Sequence, residues 1–139
     1  MMDLMVTGPR DGKVDLGLSA MAHLAVDNFA KQLGIHRLAT TIHLRLHHNI
    51  VVDEGCEGLC EPIGTRAFII DVALYGNWLS TLAHEMVHVR QFARKELDAQ
   101  LTQWKSNKYC GDIEYWDQPW EKEARRLQDR MLEEFNRNP

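Results

Sequence analysis

The chain has 139 residues, 45% of them hydrophobic and 26% charged, and a net charge of −4. That length suits one domain whose core needs no staples; the acidic balance gives no general reason to expect nucleic acid or an acidic membrane surface as partner, and no stretch of about eighteen apolar residues suggests a membrane span. No basic segment followed by a long apolar run opens the sequence, and Cys56, Cys60 and Cys110 form no dense framework, so the expectation is a cytoplasmic protein with free thiols.

Residues 1–17 hold Gly8-Pro9, Asp11-Gly12 and Gly17, turn formers that predict a loose lead-in. Ser19 is then placed to cap a helix whose apolar positions Leu18, Met21, Ala22, Ala25, Val26, Phe29 and Leu33 keep the helical period, with Gly34 as its stop. His23 has no acidic or histidine neighbour at ligand spacing and reads as a surface histidine. From Thr40 to Val52 the pattern becomes alternation: Ile42, Leu44, Leu46 and Ile50 on one side, His43, Arg45 and His47 on the other, a half-buried strand with a polar outer face. Residues 53–64, rich in glycine and acid, read as a loop; Cys56 and Cys60 within it lack the further pair a structural zinc site needs. Ala67 to Tyr75, AFIIDVALY, predicts a more deeply buried strand, antiparallel to the first.

Asn77 can cap a helix from about Trp78 to Arg94. Arg90, Arg94 and Lys95 near its C-terminal end suit the helix dipole, and a nucleic-acid contact through them is the weaker reading. Residues 96–116 read as a connecting segment anchored by aromatic residues, among them Trp104, Tyr109 and Tyr115. Asp117 as cap and Pro119 in the first turn then open a last helix with the stripe Trp120, Ala124, Leu127, Met131 and Phe135.

The helix at 78–94 carries His84-Glu85-Met86-Val87-His88. Histidines four residues apart stand one turn above each other, so both imidazoles can reach one metal ion while Glu85 projects beside them, the pattern of a zinc hydrolase. A catalytic zinc takes three protein ligands and keeps one position for water. His88 is the last histidine, and the places where a metzincin carries its glycine and third histidine hold Gln91 and Arg94. A carboxylate is therefore the economical third ligand, and the last helix offers Glu121 and Glu123. With Ala124 set at zero and about 100° per residue, the apolar stripe spans roughly −60° to +20°, Glu121 falls near +60° and Glu123 near −100°. Glu121 flanks the buried stripe and is the favoured ligand, while Glu123 points toward solvent and stands as the alternative.

The segment STLAHEMVHV from Ser80 to Val89, with PWEKEA from Pro119 to Ala124, resembles gluzincin-type zinc metallopeptidases, close to minigluzincins and to phage-encoded and bacterial SprT-like domains. The resemblance covers about half the chain and is strongest over 78–92 and 115–125. It implies a small zincin-like α+β domain with an N-terminal helix, a short antiparallel sheet, the His-Glu-x-x-His helix and a C-terminal helix bearing the ligand Glu121. SprT-like domains use a later histidine, which this chain lacks, so its third ligand follows the gluzincin pattern. The family's Asp or Asn after the alanine is Arg125 here, a departure that bears on the bond which that residue makes to a ligand histidine.

The resulting expectation is a zinc (Zn2+) metalloendopeptidase acting on protein or peptide substrates. His84, His88 and Glu121 hold the metal, Glu85 is the general base, Tyr109 or Tyr115 assists the oxyanion, and the substrate adds a strand along Arg66 to Leu74. Two alternatives are a zinc-stabilised regulatory or binding module, closed by a fourth ligand such as Cys60 or a loop acid, and a SprT-like protease acting on DNA-associated proteins.

Overall fold

A computed structural model describes residues 2–8, 13–48, 57–74, 76–109 and 113–139. Among the described residues the fold is a small α+β domain of three α-helices, a mixed sheet and a short antiparallel pair. The expectations resting on Asp11-Gly12, Ile50, Cys56, Tyr75 and Cys110 lie outside the described residues.

The lead-in contains an unforeseen strand, β1 (Asp3–Thr7), parallel to β2 (Thr41–His47). Between them runs α1 (Leu16–Leu33), a βαβ crossover. Leu4 and Val6 turn toward the core, a two-residue alternation too short to stand out among turn formers. The cap of α1 is Asp15 rather than Ser19: its carboxylate accepts from the amides of Gly17 and Leu18, starting the helix earlier. Gly34 closes it in the left-handed region at φ 73°. His23 is exposed, its Nδ1 2.9 Å from the Ser19 carbonyl.

The segment read as a loop contains a strand, β3 (Gly58–Gly64), antiparallel to β4 (Ala67–Ala73). This corrects the sheet as well. Because β3 reverses the chain before β4 begins, β4 runs parallel to β2, not antiparallel, and the strand order is β1-β2-β4-β3. One side of the sheet presents Ile42, Leu44 and Leu46 of β2 with Phe68, Ile70 and Val72 of β4, all buried against the helices. The other carries His43, Arg45 and His47, which are not simply solvated: His43 Nε2 lies 3.0 Å from Thr7 Oγ1, and Arg45 and His47 both engage the buried Asp71. That polar residue sits in the middle of the apolar run AFIIDVALY, and its two partners are what allow it there.

Helix α2 (Trp78–Ala93) starts where Asn77 accepts from the Ser80 amide. It is sheathed by the sheet, α1 and α3 (Pro119–Arg137), so polar as well as apolar positions along it are buried. Pro119 opens α3 as expected, but Gln118 occupies the cap position and Asp117 belongs to a 3-10 turn, Tyr115–Asp117. Ala124 is fully buried, and its small side chain permits close approach of α3 to α2. The connecting segment contains β5 (Gln103–Trp104) and β6 (Asn107–Lys108), whose Trp104 packs with Tyr109 and Leu97 around Trp120 at the start of α3. No helix among the described residues is long and apolar enough to cross a membrane.

Candidate metal centre

Three side chains from two helices converge. His84 and His88, one turn apart on α2, direct Nε2 toward the two oxygens of Glu121 at 2.9 and 3.1 Å. All three ligand atoms lie within 4.8 Å of one another, so the group could hold a metal ion. His88 and Glu121 are buried and His84 nearly so.

The opposite edges of the imidazoles decide their tautomers. His84 Nδ1 lies 2.5 Å from Gln128 Oε1, and His88 Nδ1 lies 2.7 Å from Gln91 Oε1. Gln128 directs its amide nitrogen to Ser80 Oγ, and Gln91 directs its own to the Trp120 carbonyl and Glu123. With the amide nitrogens so engaged, each Oε1 must accept, and each histidine must carry its proton on Nδ1. A lone pair on Nε2 and a carboxylate oxygen cannot share a contact of about 3 Å unless a cation or proton stands between them. The donor set therefore fits a metal ion: tetrahedral ligands at about 2.0–2.2 Å from zinc stand about 3.3 Å apart, close to the separations found.

With a proton rather than a cation in that place, the histidines donate to the carboxylate and the three groups are electrostatically coupled. Burial acts to raise the Glu121 carboxyl, but hydrogen bonds from His84 and His88 outweigh it and hold the group well below its usual range. Burial acts to lower His88, and its bond to Glu121 and the negative charge of Glu85 and Glu121 push it instead up to about 9. Glu85, next along the helix, is 6% exposed and faces the same cleft. Desolvation raises its carboxyl, only partly countered by the two histidines. A buried carboxylate with a raised proton affinity beside a donor cluster suits proton transfer.

The centre opens into a cleft of about 710 Å³ walled by α2, α3, β3 and the 3-10 turn. Gly58 brings β3 so close to α2 that an added Cβ would lie 2.5 Å from Thr81 Cγ2 and 2.9 Å from Glu85 Oε2. Strand β3 is one of the sheet's two outer strands, the other being β1, whereas β4 is bonded on both sides by β2 and β3. The expected docking edge at Arg66 to Leu74 is thus already used, and the strand edge beside the centre belongs to Gly58–Gly64.

Of the two tyrosines, Tyr115 lines the cleft and Tyr109 does not; Tyr109 is packed edge-on against Trp120. Burial and the adjacent Glu121, to which it hydrogen-bonds, raise the Tyr115 phenol, so it stays a proton donor. Glu123, expected to face solvent, is instead only 11% exposed at its side chain and tied to Arg90, Gln91 and Lys105. It faces away from the ligand group and joins the helices. Cys60 lines the cleft, but the ligand group among the described residues is His84, His88 and Glu121 without it; burial and the charges of Glu85 and Glu121 raise its thiol well above the usual range. Of the basic residues considered for nucleic acid, Arg90 meets Glu123 and Arg94 donates to the Leu33 carbonyl.

Sequence reasoning missed the two glutamines that orient the histidines. A signal existed for Gln128: at roughly +40° on the same helical wheel it shares the face of Glu121. Gln128 meets His84 Nδ1, whereas Arg125, one turn after Glu121, is turned to the Trp116 carbonyl at 2.7 Å. No protein-family model matches the chain, and no curated protein or solved structure matches it.

Proposed function

We propose that the protein is a zinc-dependent metallopeptidase. The observation that carries this reading is the convergence of His84, His88 and Glu121 with Glu85 buried beside them in an open cleft. Two imidazoles and one carboxylate form the donor set of many catalytic zinc sites, and a group of three leaves a position for solvent or substrate. The chemistry that a bound zinc supplies is Lewis acidity toward water and a peptide carbonyl.

The residues of the chain do the rest. Gln128 and Gln91 hold the imidazoles so that both Nε2 atoms face inward. Glu85 takes a proton from water and returns it to the departing amine, a role its raised proton affinity favours. Tyr115 stands at the lip with a protonated hydroxyl, able to donate to charge developing on the carbonyl oxygen. The outer strand β3 gives a peptide main-chain partners, so that an extended substrate lies against Gly58–Cys60 beside Glu85.

The decisive experiment is Glu85→Gln on protein carrying one zinc per chain. Zinc content should be retained while hydrolysis of an unstructured protein such as casein falls by about a hundredfold or more. Undiminished hydrolysis in that variant, or purified protein with no affinity for zinc, would overturn the reading.

A further inference from the structure

Helix α3 brings Arg125 and Gln128 to the cleft besides Glu121. Arg125 follows Glu121 by one turn and lines the same wall as Gln128. It is the one lysine or arginine among the described residues around the cleft. Its guanidinium carbon lies 4.3 Å from the centre of the Trp116 ring and 5.9 Å from that of Tyr115. Nη2 donates to the Trp116 carbonyl at 2.7 Å, while Nη1 is sequestered from water with no partner. No carboxylate among the described residues lies within ion-pair distance of it.

A planar cation clamped by two rings, with spare donors and no counter-charge, is costly to keep unless a ligand completes it. We propose that Arg125 sets substrate specificity by receiving a carboxylate of the bound peptide within two residues of the scissile bond, an inference that rests on the peptidase reading. The distance follows from geometry. Four residues separate Arg125 from Glu121 by about 6 Å along the helix axis, and an extended peptide advances about 3.3–3.6 Å per residue. A guanidinium fork takes both oxygens of a carboxylate, which a lysine at this place would not do. Trp116 is 67% exposed, and its ring beside the cation offers an apolar flank to the same substrate residue. The carboxylate is either the free C-terminus or an Asp or Glu side chain, since the two present the same pair of oxygens.

The test uses the zinc-loaded full chain and short alanine–leucine peptides in three forms: with one Glu moved through the two positions on each side of the cleaved bond, with Gln in its place, and with a free or amidated C-terminus. The expected result is a kcat/KM on the order of tenfold higher for one carboxylate-bearing form than for its neutral match. This preference should shrink to about twofold in Arg125→Gln and survive in part in Arg125→Lys, with zinc content and melting temperature unchanged as controls on folding. The Glu arm and the C-terminal arm tell the two sources apart. A wild-type enzyme indifferent to the carboxylate, or an Arg125→Gln variant that keeps the preference, overturns the proposal. If no peptide is cleaved, the peptidase reading fails on its own. Calorimetric binding of the same peptides then decides about Arg125: carboxylate-dependent binding lost in Arg125→Gln sustains the site, and equal binding of both forms refutes it.

Discussion

Gly58 is where an outer strand meets Glu85, the residue proposed to transfer protons, and Gly58→Ala probes both. Its φ is outside the left-handed region, so alanine fits the backbone and only space is at issue. The new methyl would sit 2.5 Å from Thr81 Cγ2, 2.9 Å from Glu85 Oε2 and 3.3 Å from Glu85 Cγ. Carbon atoms rest at about 3.5–4.0 Å, so one wall must yield by about 1 Å. Thr81 is branched at Cβ and stiff in a helix; strand β3 must therefore lift, or Glu85 must turn. Overpacking by one methyl costs about 1–3 kcal/mol. The smaller conformational freedom of alanine in the unfolded chain returns about 0.4–1 kcal/mol, leaving a net loss of about 1–2 kcal/mol. With about 2.1 cal/mol/K of unfolding entropy per residue, that lowers the melting temperature by about 3–7 °C. Thermal unfolding of Gly58→Ala, Thr81→Ser and the double variant forms a double-mutant cycle. Thr81→Ser removes the atom at 2.5 Å, so the double variant should recover most of the stability while peptide hydrolysis stays depressed through the remaining contact with Glu85. An unchanged melting temperature in Gly58→Ala, or strictly additive effects in the cycle, would refute the close approach of strand and helix.

Two further outcomes follow from side chains around the centre and across the sheet. Gln128→Leu leaves His84 Nδ1 without its acceptor and should weaken zinc binding about tenfold to a hundredfold, read by competition with a chromophoric chelator; equal affinity would show that Gln128 does not orient the ligand. Asp71→Asn breaks the pairs with Arg45 and His47 and should cost about 1–3 kcal/mol by denaturant unfolding, moderated because the released Arg45 is 45% exposed at its side chain. Burial acts to raise the Asp71 carboxyl, but Arg45 and His47 hold it below its ordinary value. The pairing thus contributes fully above the unfolded value of about 3.9 and is lost as pH falls through the lower folded value. The stability gap between wild type and Asp71→Asn should therefore narrow below about pH 4, and a gap independent of pH would contradict the ionic account.

How much of this could be read from residue order alone depended on whether a feature is local. Spacing on one helix brought His84, Glu85 and His88 together, and the wheel angle of Glu121 set it toward α2 before any packing was known. The α+β class was legible for the same reason, since α1 and β2 carry their own period, α2 follows its cap and apolar run, and β4 is a branched apolar run of strand length. Strand β3 was not legible: Gly58, Pro62 and Gly64 read as turn formers, and pairing with β4 is a relation between segments that neither shows by itself. Missing it hid a reversal of the chain, which is why the direction of β4 relative to β2 was inverted. Glu123 failed differently. Its angle was right, but the segment from Glu96 to Lys108 folds back and supplies Lys105, turning a predicted solvent face into a partly covered one.

Gln91 shows what that fold-back achieves for the centre. It is fully buried, one turn beyond His88, and each polar group of its side chain is used: Oε1 receives His88 Nδ1, and Nε2 donates to the Trp120 carbonyl at 3.0 Å and to Glu123 at 3.1 Å. Glu123 is itself fixed by Arg90 and Lys105. The orientation of one imidazole is thereby tied to the first turn of α3, the same turn that delivers Glu121. A glycine at position 91 would take the acceptor from His88 Nδ1 and remove the bonds to the Trp120 carbonyl and Glu123, leaving Arg90–Glu123 and the contacts of His84 and His88 as the polar links between the helices. Because Gln91 also holds the Trp120 carbonyl and Glu123, the amide that accepts from His88 is fixed against the first turn of α3. The candidate centre is thus set by the docking of α3 onto α2, and the charges around Glu123 support it although none of them belongs to the group of His84, His88 and Glu121.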